Sequence, residues 1–189
     1  MANPGDSHQV EASAASDVDP AVDAAEAWKA VGLVNDWVKH AETKAAATLA
    51  AAGVMGGVLY NLVKSQTSYD CLMQLAAPLC GLLIVAAAGF AIAALWPRLA
   101  RSDPPTNALY FDHIARKHPH SPTGYVEELR ALVLAPDQLL TQLGQQVWAN
   151  ARVARRKYQA VGLGLVFLFS AGAALGLVAL DLALRSVPN

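Results

Sequence analysis

Three uncharged apolar stretches divide the chain: residues 45–63 between Lys44 and Lys64, 71–97 between Asp70 and Arg98, and 158–180 between Lys157 and Asp181. Each reaches the roughly 17 to 25 mostly apolar residues needed to cross a hydrocarbon core of ~30 Å. Upstream of the first, Trp28, Val31, Val34, Val38 and Ala41 recur at helical spacing, and Asp19 followed by Pro20 supplies an N-cap and a first helical residue. One long helix is predicted over about 20–64. The same spacing runs from Pro136 through Leu140, Leu143, Val147, Ala151, Ala154 and Tyr158 into the third stretch, predicting a second long helix. Between the second and third stretches, Pro104 and Pro105 end the extension of the second. Thr106 or Asn107 then caps a short helix through Lys117, Pro119 and Pro122 stop it, and another helix covers about 123–134. No strand pattern is present. The predicted fold is an all-α membrane protein with three transmembrane helices. The first and third continue as cytoplasmic stalk helices, and two short cytoplasmic helices lie between spans two and three.

Composition agrees, with 54% apolar residues against 15% charged in 189 residues, more apolar than an ordinary soluble domain. Residues 1–19 are polar, lack the apolar core of a signal peptide and read as a disordered tail. Charge placement sets the orientation, because Lys and Arg near span ends stay in the cytoplasm. Lys29, Lys39 and Lys44 precede the first span, and a larger group from Arg98 to Lys157 lies between the second and third. The stalk at 20–44 and the helical region at 98–157 are therefore expected inside, with the 64–70 hairpin and the tail at 181–189 outside. Arg152, Arg155, Arg156 and Lys157 form a basic cluster at the inner interface, suited to anionic lipid headgroups. The net charge of −1 points to no nucleic-acid partner.

The spans differ in strength. Leu, Ile, Val and Phe number six in the first, ten in the second and eleven in the third. At roughly −0.3 to −0.6 kcal/mol each, the first gains the least, and Thr48 and Asn61 offset part of that. Such a helix needs protein neighbours. Gly53 with Gly57, and Gly172 with Gly176, provide small-xxx-small spacing for packing within one subunit or between copies in a homo-oligomer. Asp181, four residues before Arg185, suits an interfacial ion pair. Cys71 opens the second span and Cys80 lies within it, as packing residues rather than a disulfide framework.

The chain holds no Gly-rich phosphate loop, no nucleophile elbow and no apparent Ser, His and Asp set, so an enzyme is not expected. His113, His118 and His120 beside Asp112 match no standard zinc spacing, so neither a metal nor a cofactor is expected. The segment TNALYFDHIARK at 106–117 stands out for gathering Asn107, Tyr110, Phe111, His113 and Arg116. Those residue types suit a nucleotide: an aromatic face for a base, Asn for a base edge, Arg for a phosphate. A competing reading makes Phe111, Ile114 and Ala115 core contacts and leaves Tyr110 and Arg116 at a solvated rim. Successive helical residues point about 100° apart, so one of the two aromatics at most faces a given ligand.

Asp36 and Trp37, the run Glu42, Thr43, Lys44 and Ala45 opening the first span, NALYFDHIA at 107–115, Gln145 and Gln146, and Lys157 with Tyr158 opening the last span stand in a specific order around the spans. In that order they resemble the transmembrane effectors of Pycsar antiphage systems, over about residues 28–180. The resemblance implies a partner pyrimidine cyclase that makes cUMP or cCMP on infection, a messenger that activates the effector, loss of inner-membrane integrity, and abortive infection by cell death. With that messenger as the ligand, the residue types place Tyr110 or Phe111 on the pyrimidine, Asn107 at a base edge, and Arg116 with His113 at the cyclic phosphate. The alternative is a membrane scaffold that recognises another protein through its stalks and senses no nucleotide.

Overall fold

The computed structural model describes residues 20–66, 71–97 and 107–186. The N-terminal tail, the 67–70 hairpin, Pro104 to Thr106 and the last three residues lie outside the described part, as does the Arg185 side chain expected to pair with Asp181. Among the described residues five helices follow in order: α1 Pro20–Lys64, α2 Cys71–Leu95, α3 Phe111–Lys117, α4 Pro122–Val133 and α5 Pro136–Ser186. Three of them open on proline. Proline lacks the N–H that a first helical turn would leave unpaired, and its fixed φ is already helical. At α4 the preceding Ser121 completes the start, its hydroxyl accepting from the Gly124 N–H at 3.2 Å.

The predicted long helices form as single elements of 45 and 51 residues. The short helix between them does not start where the sequence suggested. Residues 107–110 are non-helical, and α3 begins at Phe111 with Tyr110 as its N-cap, whose side chain caps nothing. Asn107 is occupied elsewhere, as described below. The last helix also runs beyond the expected end of the third span, to Ser186.

By contacts the chain forms two compact units. One comprises the described residues of 1–35 and 99–151, the other those of 36–98 and 152–189. The first has a core of Val31, Ala108, Leu132, Leu139 and Leu143. The second packs on small residues: Ala45, Ala94 and Val161 in one cluster, Ala52, Cys80, Ile84, Ala87 and Ala171 in another. Small side chains let helix backbones approach closely, which suits a setting in which burial gives little drive between helices already in lipid. A neighbouring helix's backbone comes close at Gly164, where an added Cβ would stand 3.4 Å from the Ala87 carbonyl and 3.6 Å from Thr48 Cγ2. Phe90 stacks on Phe167 at 5.4 Å.

Large apolar side chains of this unit, among them Val54, Leu82, Val85, Val166 and Phe169, point outward. An apolar surface of that extent needs lipid or protein against it. Thr48 and Asn61 turn back on their own helix: Thr48 Oγ1 donates to the Lys44 carbonyl at 2.9 Å and Asn61 Nδ2 to the Gly57 carbonyl at 2.9 Å. Such bonds satisfy the groups without water. Among the described residues three helices, within 24–64, 73–95 and 136–184, are long and apolar enough to cross a membrane, and the first is the least apolar of them.

Candidate functional site

The four residues expected to meet a ligand divide into two pairs. Asn107 and His113 are buried, at 7% and 8% exposure, while Tyr110 is half-buried and Arg116 exposed. The buried pair organises the non-helical segment. Its backbone N–H groups precede a helix and have no ladder to join, so a buried stretch needs other acceptors. Asn107 N–H donates to His113 Nδ1 at 3.1 Å, Ala108 N–H to Gln142 Oε1 at 2.9 Å, and Leu109 N–H to Asn107 Oδ1 at 2.9 Å. Three successive amides thus end on three side chains. Asn107 Nδ2 donates in turn to the Gln142 carbonyl at 2.9 Å, tying the segment to α5. Because Nδ1 of His113 accepts, the neutral ring carries its proton on Nε2.

The second pair lies on the outer side. The Tyr110 ring meets His113 edge-on at 4.9 Å and lies tilted against Phe111 at 4.8 Å. Phe111 is 63% exposed and Ala115 is exposed too, which overturns the reading of both as core contacts. The buried side of this seven-residue helix is the side carrying His113. Arg116 lies 3.8 Å from the Asp112 carboxylate one turn back.

A carboxylate clasp closes the far end of α3. Glu128 of α4 accepts from Lys117 Nζ and bonds His118 Nε2, each at 2.6 Å, and the His118 ring packs at 5.9 Å on Tyr125. The Lys117 ammonium, then His118, hold the Glu128 carboxyl below its ordinary 4.5. The cavity between the clasp and the Asn107 network measures only about 10 Å³, the room of one water-sized sphere. A nucleotide does not fit inside it. Among the described residues no group of three or more His, Cys, Asp or Glu stands where it could hold a metal ion.

The basic cluster also divides. Lys157 turns into a 2.6 Å pair with Glu42 and keeps 11% side-chain exposure, while Arg152, Arg155 and Arg156 remain exposed. Beside that pair, Lys44 Nζ lies 5.5 Å from the centre of the Tyr158 ring. Of the four glycines singled out for packing, a Cβ added at Gly172 would stand 3.0 Å from Met55 Cε, whereas one at Gly53, Gly57 or Gly176 would meet nothing within 4 Å. Sequence reading missed Gly164 and Gln142. Gly164 lies in the same Gly-rich third span and could have been weighed there, but no local pattern marks Gln142.

Three long apolar helices, and a smaller helical unit around a hydrogen-bonded non-helical segment, define a multi-pass helical membrane protein. The Pycsar effector protein domain, by its family model, matches residues 26–184, and the chain belongs to that family. It is 32% identical over 186 residues to the Pycsar effector protein PtPycTM of Propioniciclava tarda, covering 93% of this chain and 91% of that one. No solved structure matches it.

Proposed function

We propose that this protein is a membrane effector of antiphage defence, activated by a cyclic pyrimidine mononucleotide, cUMP or cCMP, from a partner cyclase. The observation that carries this reading is the family match across 26–184, which takes in both the long apolar helices and the 107–116 segment. Activation impairs the inner membrane and ends the infection by death of the cell. The protein acts by changing conformation rather than by turning over a substrate. Its N-terminus and its 98–157 region lie in the cytoplasm, where the messenger is made, in keeping with the Lys and Arg of those segments.

Within the segment, an aromatic face from Tyr110 takes the base and Arg116 the cyclic phosphate. Asn107 and His113 hold the segment in the shape that presents them. The ligand acts through differential affinity for two states, and the third span, continuous with α5, receives the change. Gly53, Gly57 and Gly176, open along their helices, serve contacts between copies, and Arg152, Arg155 and Arg156 face anionic headgroups.

Titration of the detergent-solubilised, folded protein with cUMP, cCMP, cAMP and cGMP tests this, by calorimetry or by the rise in melting temperature that ligand linkage requires. Binding of one pyrimidine, lost in Arg116→Ala, is expected. Silence across all four rejects the nucleotide reading in favour of a scaffold that binds a protein partner.

A further inference from the structure

Gln142 lies outside every motif that points to nucleotide sensing, on the first turns of α5 between the buried Leu139 and Leu143. Bonds from both Asn107 and Ala108 to α5 end on it. Its side-chain Oε1 accepts the Ala108 N–H and its backbone carbonyl accepts Asn107 Nδ2, both at 2.9 Å. An α-helical carbonyl already accepts one bond from four residues ahead, so Asn107 takes its second lone pair. The remaining bonds of the network, His113 Nδ1 to Asn107 N–H and Asn107 Oδ1 to Leu109 N–H, close within the segment. They fix its internal shape and not its place on α5. Ala108 adds apolar contact with the core, but an apolar contact sets no register.

We infer that Gln142 is a positioning residue for messenger recognition: it seats the 107–110 turn on α5, and so sets where Tyr110 and Arg116 meet a cyclic pyrimidine nucleotide. The inference rests on the nucleotide reading above. Its chemistry is specific, because one acceptor atom at that reach is required and the amide's own donor is not. Methionine keeps the length and apolar bulk of glutamine but removes the acceptor. Glutamate keeps the acceptor.

The experiment uses full-length protein in detergent, titrated with cUMP and with cCMP at a temperature where circular dichroism shows wild type, Gln142→Met and Gln142→Glu equally helical. Gln142→Met is expected to weaken binding of the recognised nucleotide about tenfold or more, and Gln142→Glu to stay within about threefold of wild type. A role confined to folding would lower the melting temperature of Gln142→Met and leave its affinity unchanged at the working temperature. Equal affinity of the two variants, whether both normal or both lost, overturns the inference. If wild type itself binds neither nucleotide, the sensing reading fails and this one falls with it.

Discussion

The two units of the molecule are held by different physics. The second is joined by small side chains that let helices touch, and its Thr48, Asn61 and Ser170 side chains bond back to their own helices. The first joins elements far apart in sequence by side-chain bonds to backbone, with Gln142 and Asn107 linking positions 34 and 35 residues apart. The difference follows from what each contains. Regular helices satisfy their own backbone, so shape is most of what remains to be matched between them, with the Glu42–Lys157 pair and the Cys80 thiol on the Ala171 carbonyl as polar links. A buried turn such as 107–110 leaves amides open, and each needs a named acceptor. Substitutions in the first unit should therefore be sensitive to hydrogen-bonding atoms, and those in the second to volume.

Asn107→Leu tests the polar half with the largest effect. It removes the acceptor of the Leu109 N–H and the donor to the Gln142 carbonyl while keeping similar bulk. A loss of about 2 to 3 kcal/mol in chemical unfolding is expected. An unchanged midpoint would show that the turn is not held by these bonds, and the contrast between units would collapse.

Gly164→Leu addresses the other half. Overpacking against the Ala87 carbonyl and Thr48 should cost about 1 to 3 kcal/mol and loosen the helices of the second unit, read as faster proteolysis in detergent. Gly57→Leu, with nothing within 4 Å of its Cβ, should cost the single chain under about 0.5 kcal/mol. A change in the size of the assembly caused by Gly57→Leu alone would assign that face to contacts between copies.

Glu128→Gln sharpens the contrast at the surface of the first unit, where charges are partly screened. The carboxyl is held below its ordinary 4.5 in the folded state, so its contribution is full above that value. It fades as pH falls through the lower folded value. Wild type should exceed the variant by about 0.5 to 1 kcal/mol at neutral pH, and the two melting curves should converge on acidification below that ordinary value. A constant difference at all pH values would place the effect in packing instead.

What could be read in the sequence reflects range. Charge-free stretches and the prolines at 20, 122 and 136 act locally, and they located the long helices and the start of α4 closely. Asn107, like Thr106, fits a helix cap by residue type. The structure spends it on a turn and a tie to α5, and the helix waits until Phe111. The short helix has too little period to tell its faces apart, so its pattern leaves Phe111 open to either a core or a ligand-facing reading, and the structure leaves it 63% exposed. Glycine pairs at small-xxx-small spacing point to Gly53, Gly57, Gly172 and Gly176, of which Gly172 alone has a neighbour within 4 Å of an added Cβ, and they leave out Gly164, whose contacts are set by which residues of α1 and α2 arrive opposite it. Gln142 could not be found, because its importance lies in partners more than 30 residues away.

The central claim, that a cyclic pyrimidine nucleotide turns this helical protein against the membrane, is tested most directly by dye release from liposomes. Full-length protein would be reconstituted in vesicles containing anionic lipid and exposed to cUMP, cCMP, cAMP or cGMP on the side facing residues 98–157. The account predicts release with one pyrimidine nucleotide only, lost in Arg116→Ala. Release that ignores all four nucleotides, or intact vesicles with each of them, would contradict it.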